Sequence, residues 1–160
     1  MSQTEKLNEI VGNFLAQDLE WVEPLDLESE PSYTGRCIFP QLEKCLKEIN
    51  EPKLLLRSDN SMVGRPRPVL FGGQRFFPDL SFELSTNRSL AIEVKFLKSD
   101  NFSGSVATAI GQAFVYKSLG YDFSHVVMVA KATNIELTKN EVLELSVALN
   151  KHGVGFHLLR

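Results

Sequence analysis

Two segments of strictly alternating apolar and polar residues constrain the fold of this 160-residue chain more than any other feature. They span residues 78–84 and 90–96, and the turn-prone stretch 85–89 separates them, which predicts a β-hairpin. A period of two residues sends one set of side chains to the core, namely Leu80, Phe82, Leu84, Ile92, Val94 and Phe96. The opposite face then carries Asp79, Ser81, Glu83, Glu93 and Lys95. Because the apolar faces must be buried together, Asp79, Glu93 and Lys95 are expected on one surface.

The length of the turn suggests a register for this hairpin. If Ser85 opposes Ser89, a three-residue loop, Thr86-Asn87-Arg88, joins the strands, and Asn87 suits a left-handed conformation. Asp79 then lies opposite Lys95 and Ser81 opposite Glu93, unless a bulge shifts the pairing. With neighbours at about 5 Å and diagonals at about 7–8 Å, Asp79 and Glu93 would reach one hard cation.

Two carboxylates beside an ammonium group have a definite chemical use. Carboxylate oxygens bind Mg²⁺, and the ion can activate water and screen the charge of a phosphodiester. A nearby lysine can orient that water or stabilise the developing charge. The triplet Glu93-Val94-Lys95 is equally compatible with exposed acids that form salt bridges on a half-buried sheet.

The rest of the chain mixes helices and strands. The pattern predicts helices at 5–20, 40–51, 105–119 and from the Thr138/Glu141 capping box to Gly153, and strands at 53–57, 125–130 and 154–159. This order favours an α/β fold with a mixed β-sheet flanked by helices on both faces. Residues 58–75, which are rich in Gly and Pro, are expected to be an exposed excursion.

The N-terminal region is predicted to be separate from the main domain. Residues 1–30 hold eight acids against one base, although the net charge of the whole chain is only −3. We interpret residues 1–36 as an amphipathic helix followed by an acidic linker, and residues 37–160 as the folded domain. The helix is a candidate contact for a second copy or for a partner protein.

The chain resembles the PD-(D/E)xK nuclease superfamily, which has the restriction-endonuclease-like fold. The resemblance rests on Pro78-Asp79, on Glu93-Val94-Lys95 fourteen residues later, and on the α-β-β-β-α-β order over roughly residues 38–131. It implies a deoxyribonuclease that uses Mg²⁺, for which Mn²⁺ can substitute, and in which Asp79 and Glu93 bind the metal and Lys95 is catalytic. The family often has an acid in the helix before the first strand, which Glu43 matches best and Glu48 second. It often has a glutamine on the later helix, which Gln112 matches.

Basic residues near the hairpin indicate an anionic partner. Between residues 53 and 75 five bases face the single acid Asp59, and arginine suits bidentate contacts to phosphate. The candidate DNA-binding residues are Arg65, Arg67, Arg75, Lys98 and Tyr116. The alternative is that the segment is only a polar connection.

Other patterns exclude several classes of protein. Cys37 and Cys45 lack the spacing of a zinc site or a disulfide framework, and no apolar run is long enough to cross a bilayer. A cytoplasmic protein without membrane contact is therefore expected. Two functions stay open: a metal-dependent DNA endonuclease, or a non-catalytic DNA-binding or assembly subunit with the same fold.

Overall fold

A computed structural model describes residues 1–85, 87–131 and 135–160, and it contains a five-stranded mixed sheet between two layers of helices. The strands are β1 (Leu55–Ser58), β2 (Val69–Phe71), β3 (Gln74–Phe76), β4 (Leu80–Leu84), β5 (Asn87–Leu97), β6 (Phe123–Ala130) and β7 (Val154–Leu159). The helices are α1 (Gln3–Asn13), α2 (Glu30–Tyr33), α3 (Phe39–Ile49), α4 (Phe102–Leu119) and α5 (Lys139–Asn150). The main sheet has the order β1-β4-β5-β6-β7, and β2 and β3 form a separate hairpin. The predicted α/β class is confirmed.

Strand direction changes once across the main sheet. The pairs β1–β4 and β4–β5 are antiparallel, while β5–β6 and β6–β7 are parallel. Parallel neighbours need a crossover connection, which α4 provides between β5 and β6 and α5 provides between β6 and β7. Within the described ranges, no helix is both long and apolar enough to span a membrane.

Each face of the sheet has its own apolar core. On one face, α1 and α3 pack over β4 and β5 and over Val127 and Val129 of β6. On the other face, α4 and α5 pack over Val126 and Met128 of the same strand. Because both faces of β6 are covered, this strand is a continuous apolar run, as the sequence predicts.

The N-terminal region belongs to this core and does not stand apart as an appendage. The apolar stripe of α1 and its short π-helical extension is buried against the sheet, through Leu7, Val11 and Leu15. Residues 30–36, which were predicted to be linker, belong to α2 and to a second π-helical turn (Thr34–Ile38), and Tyr33 is fully buried. The apolar face of the first helix is therefore covered by its own chain.

The predicted register of the hairpin is wrong by two residues. Leu80 pairs with Ile92, so that Asp79, which precedes β4, lies across from Glu93 and not from Lys95. Since the shift is an even number of residues, all three polar side chains still belong to the same face of the sheet.

The shift has a local cause. Asn87 and Arg88, which were predicted to be loop residues, are the first residues of β5, and Leu84 pairs with Asn87. The pairing is irregular between Phe82 and Leu84, as in a β-bulge, and this irregularity shifts the register between the turn and the rest of the hairpin. The third predicted loop residue, Thr86, lies outside the described residues.

Candidate active site

Asp79 and Glu93 meet at the junction of β4 and β5. Pro78 and Asp79 form the entry to β4, and Asp79 Oδ2 accepts a hydrogen bond of 2.8 Å from the backbone N–H of Val94. Glu93 lies in the middle of β5, and only 3% of its surface is exposed. Glu93 is therefore not an exposed acid on a half-buried sheet, as the alternative interpretation expects.

Burial raises the pKa of both carboxyl groups. For Glu93, desolvation is the main cause and the neighbouring Asp79 carboxylate adds to it, while Lys95 and a hydrogen bond from Tyr116 lower the pKa by less. For Asp79, desolvation again outweighs the hydrogen bond from Val94 and the charge of Lys95. The local positive charge is therefore too small to balance both carboxylates, and a further cation would stabilise them.

Lys95 is held between two glutamates. Its Nζ lies 3.6 Å from Glu93 Oε1 and 3.7 Å from Glu30 Oε1, and 22% of its side chain is exposed. The other carboxylate oxygen of Glu30 accepts a hydrogen bond of 2.6 Å from the backbone N–H of Phe96. Lys95 is therefore fixed next to the carboxylate pair and keeps access to solvent.

Glu30 was missed by sequence reasoning, which chose Glu43 or Glu48 as the helical acid. Both of those side chains are exposed on α3, and neither forms an ion pair in the described part of the chain. Glu30 opens α2, where the Ser29 side chain caps the helix and Pro31 stands in the first turn. Serine followed by proline is a signal for a helix start, and it could have identified α2.

One stripe of α4 passes the site. Tyr116 is buried, and its hydroxyl lies 3.0 Å from Glu93 Oε2 and 3.0 Å from the carbonyl oxygen of Phe77. Tyr116 thus supports the carboxylate and is not available to DNA, contrary to prediction.

Gln112, one turn earlier on α4, has a buried Oε1 without a hydrogen-bond partner among the described residues. A buried acceptor without a partner is costly, so a ligand or a water molecule that donates a hydrogen bond to Gln112 would be stabilising.

The predicted DNA-binding residues divide into two groups. Arg67 forms an ion pair within the fold, because its Nε lies 3.0 Å from Oε1 of the buried Glu83. Arg65 is exposed, pairs with Asp59 at 3.2 Å, and stacks on the ring of Phe77 with its guanidinium carbon 4.1 Å from the ring centre. Arg65 thus lies against Phe77, which is two residues before Asp79.

Arg75 and Lys98 are both accessible. Arg75 is exposed on β3. Lys98 lines a cleft of about 630 Å³ together with Lys95, Lys131, Glu30 and the first turns of α4. This cleft connects Lys95 to solvent and is large enough for a polar ligand.

Comparison with protein-family models, characterised proteins and solved structures finds no match. The function of the chain must therefore be inferred from the geometry of this site.

The oxygen donors at the site are of the type that binds a hard divalent cation, although they are few. Across residues 1–85, 87–131 and 135–160, no group of three or more His, Cys, Asp or Glu side chains is arranged to hold a metal ion. The site offers two carboxylates with raised pKa values, and the unpartnered Gln112 oxygen lies one helical turn before Tyr116 on α4. All of these donors are oxygens, which Mg²⁺ prefers and which it supplements with water.

Proposed function

We propose that this chain is a metal-dependent deoxyribonuclease of the PD-(D/E)xK kind, with a restriction-endonuclease-like core formed by α3, β1, β4, β5, α4 and β6. Asp79 and Glu93 would hold one Mg²⁺ or Mn²⁺, and Glu30 takes the place that the sequence resemblance assigned to Glu43. Lys95 is the catalytic cation, and Gln112 a ligand or a group that positions water.

The observation that carries this proposal is a contrast between two buried glutamates on the same face of the sheet. Glu83 has two arginines beside it, with Arg57 Nε at 3.6 Å and Arg67 Nε at 3.0 Å, and it accepts a hydrogen bond from the Ser81 hydroxyl. Glu93 shares one lysine with Glu30 and has a second carboxylate beside it. A buried carboxylate without sufficient counter-charge is costly, so such a pair is expected where a cation binds.

The residues around the pair suit hydrolysis of a phosphodiester. A bound divalent ion supplies an activated water molecule and screens the negative phosphate. Attack of the water oxygen on phosphorus breaks one P–O ester bond, and the departing oxygen receives a proton, so that a phosphate monoester and a hydroxyl group result. Lys95 donates hydrogen bonds to the phosphoryl oxygens as their charge grows, while Glu30 and Glu93 keep its ammonium group in place.

The test is metal-dependent nicking of supercoiled plasmid by the purified protein. We expect nicking with Mg²⁺ and Mn²⁺ and none with EDTA, and a loss of roughly 10²–10³-fold in Asp79→Ala and Lys95→Ala. Glu43→Gln is the matched control, since Glu43 is an exposed carboxylate on the other side of the sheet.

Calorimetric titration with Mn²⁺ separates binding from catalysis. Asp79→Ala should abolish binding, whereas Lys95→Ala should keep it while losing activity. The proposal fails if wild type and both variants bind Mn²⁺ alike and treat DNA alike.

A further inference from the structure

The hairpin of β2 and β3 stands outside the main sheet and exposes its apolar residues. Leu70 is 64% exposed and Phe71 65%, although both are large apolar side chains in a strand. The tip is Gly72-Gly73, with φ values of 57° and 74°, the geometry of a tight two-residue turn. A short, exposed, apolar ribbon is costly in water, which indicates a binding surface.

The base of the hairpin is firmly anchored. Val69 is buried in a small cluster with Tyr116 and Tyr121. The Tyr121 hydroxyl donates a hydrogen bond of 2.7 Å to the carbonyl oxygen of Arg67, just before the hairpin. The ribbon is thus held on α4 and next to the tyrosine that contacts Glu93.

Three arginines surround a pocket at this anchored base. The pocket measures about 410 Å³ and is lined by Arg67, Pro68, Leu70, Arg75, Arg88 and Leu119. No acid lines it, and neither Arg75 nor Arg88 forms an ion pair within the ranges that the structure describes. Arg75 is directly opposite Leu70 in the ribbon, so that a cation and an apolar side chain share one face.

The pocket is aligned with the proposed active site along α4. Thr108 lines the cleft beside Lys95, Tyr116 contacts Glu93, and Leu119 lines the arginine pocket. Thr108 and Tyr116 are eight residues apart, and Tyr116 and Leu119 are three apart, so all three side chains lie on one side of α4. From Thr108 at the cleft to Leu119 at the pocket, the helix advances eleven residues, or about 16 Å. This length corresponds to roughly five base pairs of duplex DNA.

We propose that the β2–β3 hairpin is a duplex-DNA-binding element, in which the arginine pocket holds a backbone phosphate and Leu70 and Phe71 contact a groove. A two-stranded ribbon fits the major groove, and apolar side chains at a tip can also enter between base pairs. The proposal rests on the proposed nuclease function for its choice of DNA as the partner, and the positive charge of the pocket supports that choice.

The test is fluorescence anisotropy of a labelled DNA duplex in EDTA, where no cleavage takes place. We expect Arg75→Ala to weaken binding roughly 5- to 20-fold and to reduce the slope of log K against log salt by about one. Phe71→Ala should weaken binding without a change in that slope. Lys44→Ala is the control, because Lys44 is an exposed cation on α3, on the opposite face of the sheet.

Several results would overturn the inference. It fails if wild type does not bind the duplex at low salt, or if Arg75→Ala and Phe71→Ala bind like Lys44→Ala. It also fails if light scattering shows a dimer that Phe71→Ala dissociates while DNA binding is unchanged, since the ribbon would then be a protein contact. If duplex binding depends on the hairpin but no DNA is cut with Mg²⁺ or Mn²⁺, the nuclease proposal fails and the binding element stands.

Discussion

Replacing Glu93 by glutamine should stabilise the metal-free protein, although it removes a buried polar contact. Burial and the Asp79 carboxylate raise the pKa of Glu93 above its ordinary value of 4.5, so the charged form destabilises the folded state at neutral pH. Glutamine has nearly the same size, and its carbonyl oxygen can still accept the hydrogen bond of Tyr116. Lys95 keeps Glu30 as an ion-pair partner.

The size of this effect follows from the linkage between pKa and stability. Each unit by which folding raises a carboxyl pKa costs about 1.4 kcal/mol once the pH is above the folded value. Folding raises the pKa of Glu93 from 4.5 to about 8, which predicts a gain of roughly 3–5 kcal/mol for Glu93→Gln at pH 8. For a chain of this size, that gain corresponds to a rise in Tm of about 6–20 °C.

The pH dependence of the free energy of unfolding is an independent test of whether Glu93→Gln stabilises the protein. A raised folded pKa means that the stabilising, protonated form is complete below the unfolded pKa and is lost as the pH rises through the folded pKa. The difference between Glu93→Gln and wild type should therefore vanish near pH 4.5 and grow toward pH 8. Urea denaturation in EDTA at several pH values measures it.

Glu83→Gln is the matched control, and it should have the opposite sign. Glu83 is equally buried, but Arg57 and Arg67 lie against it, and the substitution leaves both guanidinium groups without their counter-charge. We expect a loss of about 1–3 kcal/mol, below the usual cost for a buried pair because both arginines are partly exposed. If Glu93→Gln is destabilised as much as Glu83→Gln at pH 8, the argument from uncompensated charge is refuted.

Three further predictions test other parts of the structure. Glu30→Gln should slow nicking roughly tenfold or more, a loss of about 1.4 kcal/mol, while Glu43→Gln stays within about twofold of wild type in the same assay. Val11→Ala should cost about 1–3 kcal/mol in urea denaturation if α1 belongs to the core, whereas Ile10→Ala, which is partly exposed, should cost much less. Burial lowers the pKa of His157 to about 4, so wild type should lose stability as the pH falls from 6.5 toward 4, and His157→Asn should flatten that slope.

Local signals in the sequence predicted most elements of the fold. The Thr138/Glu141 capping box opens α5 with both of its reciprocal hydrogen bonds, and the apolar run 125–130 lies within β6. These features depend on neighbouring residues and on burial, which periodicity reports directly. The role of α1 could not be predicted in this way, because an amphipathic stripe looks the same whether it covers its own sheet or a partner.

The contacts of Glu30 could not be predicted from local sequence patterns. Its contacts to Lys95 and to the backbone of Phe96 bridge more than sixty residues of sequence, and no periodicity links α2 to β5. The family resemblance implies an acid in the helix directly before β1, and Glu43 is the best match there. In the fold, α2 is the element that passes the edge of the site, while the acids of α3 face solvent.

Asp79, Glu93 and Lys95 were assigned to one face of the sheet correctly although the predicted hairpin register was wrong, and the reason is geometric. Two residues that lie opposite each other on antiparallel strands point to the same face of the sheet. The sum of their residue numbers is the same for every pair in one register, and whether that sum is even or odd decides which side chains share a face. The observed pair Leu80 and Ile92 and the predicted pair Asp79 and Lys95 both have even sums, whereas a shift of one residue would bring the acids into the apolar core. Burial of the apolar face therefore selects the parity, and the bulge near Leu84 selects among the registers that parity allows. Placing Asp79 across from Glu93 brings the two carboxylates closer than the predicted register does, which increases the electrostatic cost of having both ionised.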